Sequence, residues 1–247
     1  MQGIDDEGGV VGQVVNNKTL KFVAFSRSAR GVISLYAAPQ ASSTWLYGRT
    51  AIGIESGFYQ DSLHPEQVHG FQVQGGKFIS INYPKTTNTW LFSVNQLGAA
   101  VGSFSSSAAL VRGFLLLNGE YTIIAYPEAR TTYALAVNDN SEVIGTYAVG
   151  RVSNGFFWKD NGFTTINYPD SKFGTVLTGI NNSGVIVGNH LTADRDLGFI
   201  VENGQFKDVV YPTANYATVG GINNNKVISG QIHLPDTSTI GYTATCQ

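Results

Sequence analysis

Apolar residues run along this chain in short bursts with a period of two, each ended by Asn, Gly, Asp or Pro. Thr132–Asn138, Glu142–Ala148, Asn154–Lys159 and Phe163–Tyr168 are four such bursts in succession, rich in β-branched and aromatic residues. The pattern predicts strands. No stretch sustains a 3.6-residue period between caps, so helix is expected to be nearly absent.

The bursts recur. The phrase Gly179-Ile180-Asn181-Asn182-Ser183-Gly184-Val185-Ile186-Val187-Gly188 has counterparts whose closing glycines are Gly12, Gly57, Gly102, Gly145 and Gly230, spaced 42 to 45 residues apart. Two more anchors keep the same beat. Gly-aromatic pairs stand at Gly70-Phe71, Gly113-Phe114, Gly155-Phe156, Gly198-Phe199 and Gly241-Tyr242. Tyr-Pro pairs stand at Tyr83-Pro84, Tyr126-Pro127, Tyr168-Pro169 and Tyr211-Pro212, with Tyr36 and Pro39 as an eroded copy. Asn-Gly and Gly-Gly pairs (Asn118-Gly119, Asn161-Gly162, Asn203-Gly204, Gly75-Gly76) mark tight hairpins between the last two strands of a unit. Four antiparallel strands per unit of about 40–45 residues is the pattern of a β-propeller blade. The expected fold is all-β: one propeller domain over residues 1–247, with six blades of which the last stops after its third strand near Cys246. Five blades with an irregular flank is the fallback, and no terminal strand is visible that would close the ring by completing the opposite blade.

The phrase GINNSGVIVG, followed by GFIVENGQF and Tyr-Pro, resembles the HAF-family extracellular repeat of bacterial and fungal proteins. The likeness is strongest from residue 70 to 242 and weak between 30 and 66. It implies a propeller and says little about activity. The repeat pattern is also similar to that of fungal cofactor-free hetero-Diels–Alderases of tropolone-sesquiterpenoid pathways. The WD dipeptide, the kelch pattern and the sialidase Asp box are missing.

Composition sharpens this. The 247 residues include 29 Gly but only 13% charged residues, with 43% hydrophobic and 12% aromatic, which is too apolar for a disordered chain. A formal charge of -2 and a pI near 6.1 remove the electrostatic case for nucleic acid or anionic membrane as partner. The lone cysteine, Cys246, cannot form an internal disulfide. No basic-then-apolar leader opens the sequence, so a signal peptide is not expected in it. Sequons at Asn17 and Asn181 keep a secreted protein with its leader removed open.

In a propeller the loops joining strands two and three, and those leading to the next blade, share one face. Here they vary: Gln60–Gln67, Ser105–Val111, Ala148–Ser153, Leu191–Leu197 and His233–Thr239. Function tends to sit on variable loops carried by a rigid scaffold, so this face is the expected site. Two registers point at it. Equivalent positions near the first-strand starts hold Trp45, Trp90, Tyr133, Val176 and Thr218. Two residues past the closing glycine stand Val14, Tyr59, Phe104, Tyr147, His190 and Ile232. Trp45, Tyr59, Trp90, Phe104, Tyr133 and Tyr147 are therefore candidate substrate contacts, packing between blades being the competing explanation. Arg112, His69 and His190 are candidate catalytic donors. Arg112 is singled out because its equivalents vary (His69, Asn154, Leu197, Ile240) beside an unvarying Gly. Arg151, His233 and Asp194-Arg195-Asp196 lie on the same face, the last most simply a self-paired loop.

Other chemistries find little support. No Gly-x-Ser-x-Gly elbow is present, and His64 and His69 within one loop make a poor metal pair. Glu55, Asp61, Glu66, Glu128, Asp170 and Asp194 include no distinctively placed carboxylate pair. No metal or cofactor is expected. Two readings remain. One is a cofactor-independent enzyme, a pericyclase or hetero-Diels–Alderase-like cyclase that orients an apolar small molecule. The other is a secreted lectin or other interaction propeller, which should repeat its site from blade to blade.

Overall fold

A computed structural model describes residues 1–107, 110–236 and 238–245; Cys246 lies outside them. The described residues are all β, without helix. Six consecutive units follow one another. The first comprises β1 (Gly3–Ile4), β2 (Val10–Val15), β3 (Phe22–Arg27) and β4 (Ile33–Tyr36). The second comprises β5 (Ala41–Arg49), β6 (Glu55–Asp61), β7 (Val68–Gln74) and β8 (Lys77–Ser80). The third holds β9 (Asn88–Val94), β10 (Ala100–Ser107), β11 (Leu110–Leu117) and β12 (Glu120–Ile124). The fourth holds β13 (Thr131–Val137), β14 (Val143–Val149), β15 (Val152–Lys159) and β16 (Gly162–Thr165). The fifth holds β17 (Thr175–Ile180), β18 (Ile186–Leu191), β19 (Asp196–Glu202) and β20 (Gln205–Asp208). The sixth has three described strands, β21 (Tyr216–Ile222), β22 (Val227–His233) and β23 (Thr239–Thr245). Within each unit the strands pair antiparallel in chain order, and single parallel bridges (Val68 to Asn88, Val111 to Thr131) fuse units two to four into one sheet.

β3 and β4 are joined by a five-residue loop between Arg27 and Ile33, whereas in units two to five the outer hairpins are two-residue turns with both central residues at positive φ, as at Asn118 (52°) and Gly119 (83°). One differs from expectation. Lys159 pairs with Gly162, so the turn is Asp160-Asn161 and Gly162 opens β16. Asp and Asn tolerate the left-handed region, which lets the turn slide by one residue.

Each anchor has a packing job. Phe71, Phe114, Phe156 and Phe199 of the Gly-aromatic pairs are almost fully buried between sheets. The closing glycines lie against the inner strand: a Cβ at Gly102 or Gly145 would stand 2.1 or 1.9 Å from the Trp90 or Tyr133 carbonyl oxygen. The Tyr-Pro tyrosine leans on the next unit, and its backbone N–H (Tyr83, Tyr126, Tyr168) donates to a buried threonine of the following strand (Thr89, Thr132, Thr175) at 2.9 to 3.0 Å.

The strongest inter-unit feature is a relay of asparagines in the first inner turns. In Asn95, Asn138, Asn181 and Asn223 the Oδ1 accepts the N–H groups two and four residues on, closing each unit's own turn. The Nδ2 of each donates to the backbone carbonyl at the same position one unit ahead: Asn95 to Asn138, Asn138 to Asn181, Asn181 to Asn223, and Asn223 to Asp5 at 2.8 Å. The last bond ties the sixth unit to the first. A second row repeats the logic one residue later, Gln96 N–H to Asp139, Asp139 N–H to Asn182, Asn182 N–H to Asn224, and Asn224 N–H to Asp6. Asparagine is required because the position must accept within its own turn and donate to its neighbour. Its burial also accounts for the sequon: Asn181 is 3% exposed and its amide is engaged, whereas Asn17 is exposed.

Unit two breaks the row, with Thr50 and Ala51 in the relay positions. There Arg49 takes over. Its Nε donates to Asp5 Oδ2 at 2.5 Å, and its Nη1 donates to Ser26 Oγ at 2.7 Å and to Glu55. An acid is tolerated at position 5 because its partner there is a guanidinium.

Asn181→Asp keeps the turn acceptor but sets a buried carboxylate against the Asn223 carbonyl. It should cost about 3 kcal/mol, read as a lowered urea midpoint, whereas Asn182→Asp, which sets a solvent-screened carboxylate beside Asp139 on the exposed part of the same turn, should cost less.

Candidate functional site

The inner strands of units two to six share one irregularity. Between Leu46 and Gly48, Leu91 and Ser93, Ala134 and Ala136, Leu177 and Gly179, and Val219 and Gly221 the register skips one residue. The skipped residues are Tyr47, Phe92, Leu135, Thr178 and Gly220. A β-bulge frees one residue from the ladder and re-aims it, and all five line a central pocket together with Gln2 of unit one. The pocket has a volume of about 160 Å³ and lies at the inner-turn end of the ring, where the asparagine relay runs.

Its wall is lopsided. On units two to four stand Tyr47, Phe92 and Leu135; on units five, six and one stand Thr178, Gly220 and Gln2. The aromatic side is braced from behind. Phe58 stacks on Tyr47 at 5.4 Å and on Trp45 at 5.1 Å, and Phe92 meets Tyr47 edge-on at 5.3 Å. Burial pushes the Tyr47 phenol up from its ordinary value, so its hydroxyl stays protonated and available as a donor. Arg49 reaches the same pocket beside Asp5, with both carboxylates of its cluster, Asp5 and Glu55, 3% exposed. Behind it, the Tyr36 phenol is raised first by burial and then by the Glu55 charge.

The candidates read from sequence lie elsewhere, and mostly apart. Trp45 sits between Phe22 (5.3 Å) and Phe58, one bulge away from the pocket. Trp90 and Tyr133 face each other edge-on across units three and four, at 6.5 Å. Phe104 and Tyr147 lie flat on the Tyr-Pro tyrosines Tyr83 and Tyr126, at 3.6 and 3.5 Å, and His190 lies on Tyr168 at 3.9 Å. Tyr147 also shares the Thr165 hydroxyl with Tyr126. Tyr59 packs against His69 and Phe71. Phe104, Tyr147 and His190 are thus inter-unit stacking partners. His69 Nε2 stands 3.9 Å from Asp61, and Arg112 Nη1 donates to the carbonyls of Val111, Ala129 and Arg130, tying down the loop into unit four. Arg112, His69 and His190 belong to three different units and make no hydrogen bond to one another among the described residues.

The variable-loop face does carry a cavity, a wide polar groove between units five and six. Thr192, Asp194, Arg195, Asp196, Tyr216 and His233 line it, and it shares Gln2, Thr178 and Gly220 with the central pocket. Asp194 and Arg195 pair with each other at 3.5 Å, as expected of a self-paired loop.

Burial pushes His190 below its ordinary value of 6.5, outweighing the opposite pull of Asp208 and Asp196. The unfolded chain therefore takes the proton more readily. This contribution to stability is complete above the unfolded pKa and is lost as pH falls below it. His190→Phe, which copies Phe104 on its tyrosine, should flatten the decline of the urea midpoint between about pH 7 and pH 5; an unchanged slope would show the histidine uninvolved.

No protein-family model matches the sequence, and no curated protein matches it. Solved structures do resemble the fold. The β-propeller domain of the Trilobed protease from Pyrococcus furiosus is similar at a TM-score of 0.58 and 9% identity, over 98% of this chain and 78% of that one. The six-bladed Aleuria aurantia lectin gives 0.59 and 11%, over 98% and 89%. Virginiamycin B lyase from Staphylococcus aureus gives 0.52 and 11%, over 98% and 83%. At these identities the likeness carries the fold alone, and that fold is a β-propeller.

Proposed function

We propose that the six units form a closed six-bladed propeller of the HAF-repeat type, and that it acts as a cofactor-independent enzyme on one compact, largely apolar small molecule held in the axial pocket. The observation that carries this is the lopsided ring of bulged residues. Six sequence-equivalent positions converge on one lumen, and because Tyr47, Phe92 and Leu135 are large while Thr178 and Gly220 are small, the space left is single and asymmetric. A pocket of about 160 Å³ is comparable with an apolar cavity of about 150 Å³ that holds benzene. It takes a compact substrate, or the compact end of a longer one.

Such a cup favours reactions in which orientation does most of the work. The Tyr47 hydroxyl and the Arg49 guanidinium are the donors beside this space, and either polarises a carbonyl as charge develops on it. A hetero-Diels–Alder ring closure, as in the fungal enzymes with a similar repeat, asks for no more than this. Arg112, His69 and His190 act instead as loop and stacking elements in this reading.

Indole, a neutral compact probe, is expected to bind with one site per chain by NMR titration. Thr178→Phe, which places at the fifth bulge the residue found at the third, should weaken that binding about tenfold or more, while Arg112→Met and His190→Phe leave it unchanged. Binding indifferent to Thr178→Phe contradicts the axial site. Glycan binding with a stoichiometry near the number of units would establish a lectin instead.

A further inference from the structure

The charged groups around the axial pocket are of one dominant sign. Asp5, Asp6 and Asp139 line it against a single cation, Arg49, which is itself shared with the buried Glu55. No lysine and no second arginine is among its lining residues. The remaining rim is asparagine and glutamine at the relay positions. Asp6 and Asp139 sit at the mouth with their oxygens held by Asn224 and Asn182, so they are fixed in place as carboxylates rather than free to swing away. Behind the mouth stands the wall of Tyr47 and Phe92, braced by Phe58. These rings give an apolar body a surface to lie against. A narrow cup with an excess of one charge concentrates the opposite charge within it.

We infer that the molecule taken by the axial pocket is an organic cation: a compact apolar body carrying an amine or a quaternary ammonium group. This rests on the axial pocket being the working site and specifies what enters it. The cationic group meets the Asp6 and Asp139 carboxylates at the mouth, and the apolar body lies against Tyr47 and Phe92. Arg49 is no obstacle, because Asp5 and Glu55 neutralise it from behind.

Three probes of similar size separate the alternatives by NMR titration of the full chain: phenyltrimethylammonium, its neutral isostere tert-butylbenzene, and benzoate. The cation is expected to bind about tenfold more tightly than the isostere, the preference shrinking with added salt, and benzoate is expected to bind weakest. Asp6→Asn combined with Asp139→Asn, which copies the Asn182 and Asn224 already present at these positions in units five and six, should bring cation and isostere close to equal. Equal binding of cation and isostere by the unaltered chain, or a preference for benzoate, overturns the inference and leaves the pocket standing. Failure of all three probes, and of indole, removes both.

Discussion

A single carboxamide doing two jobs couples the units of this fold to one another. In the inner turn of a unit the asparagine oxygen must satisfy two backbone N–H groups, and its nitrogen must satisfy a carbonyl of the next unit. Neither Asp nor Ser nor Thr supplies both at that reach. Because each donor points forward by one unit, the units are coupled head to tail, and the Asn223 to Asp5 bond carries the relay across the chain ends. Where the residue is lost, in unit two, a buried arginine–carboxylate cluster replaces it. That exchange explains why unit one can carry Asp5 where four others carry Asn.

The relay also marks where function can sit. Each bulge lies three residues before the relay position, with two paired residues between them, such as Ser93 with Val101 and Val94 with Ala100 in unit three. The bulge turns Tyr47, Phe92, Leu135, Thr178 and Gly220 out of their ladders and into the lumen. A repetitive scaffold thereby yields an asymmetric pocket, since the identity of the bulged residue varies from unit to unit. The outer loops are free to vary for a different reason: their backbones are held by Thr89, Thr132 and Thr175 and by stacked Tyr-Pro rings.

Much of this was legible in the sequence. Spacing of the closing glycines and the Gly-aromatic pairs located the units, and the four-burst pattern placed the strands of unit four within a few residues. The site was harder to read. A bulge leaves no mark in a period-two pattern, because the extra residue looks like a slip in alternation. In sequence, Phe92 and Tyr47 are therefore indistinguishable from ordinary strand residues, while Trp45 and Trp90 stand two positions earlier. For Phe104, Tyr147 and His190 the sequence leaves packing between blades and substrate contact both open, because their covering tyrosines are some 20 residues away and belong to the preceding Tyr-Pro anchors. The repeated Thr at the start of the inner strands of units three to five (Thr89, Thr132, Thr175) and the run of Asn at 95, 138, 181 and 223 are the available signals. Reading them required asking what a buried amide donates to, not only what turn it favours.

The most direct test of this architecture is the carboxamide of Asn223, followed by NMR. If the relay closes the ring, its Nδ2 protons exchange slowly, as do those of Asn95, Asn138 and Asn181, and a hydrogen-bond scalar coupling connects them to the Asp5 carbonyl. If the Asn223 amide exchanges as fast as that of the exposed Asn16, with no coupling to Asp5, the first and sixth units are not joined in this way.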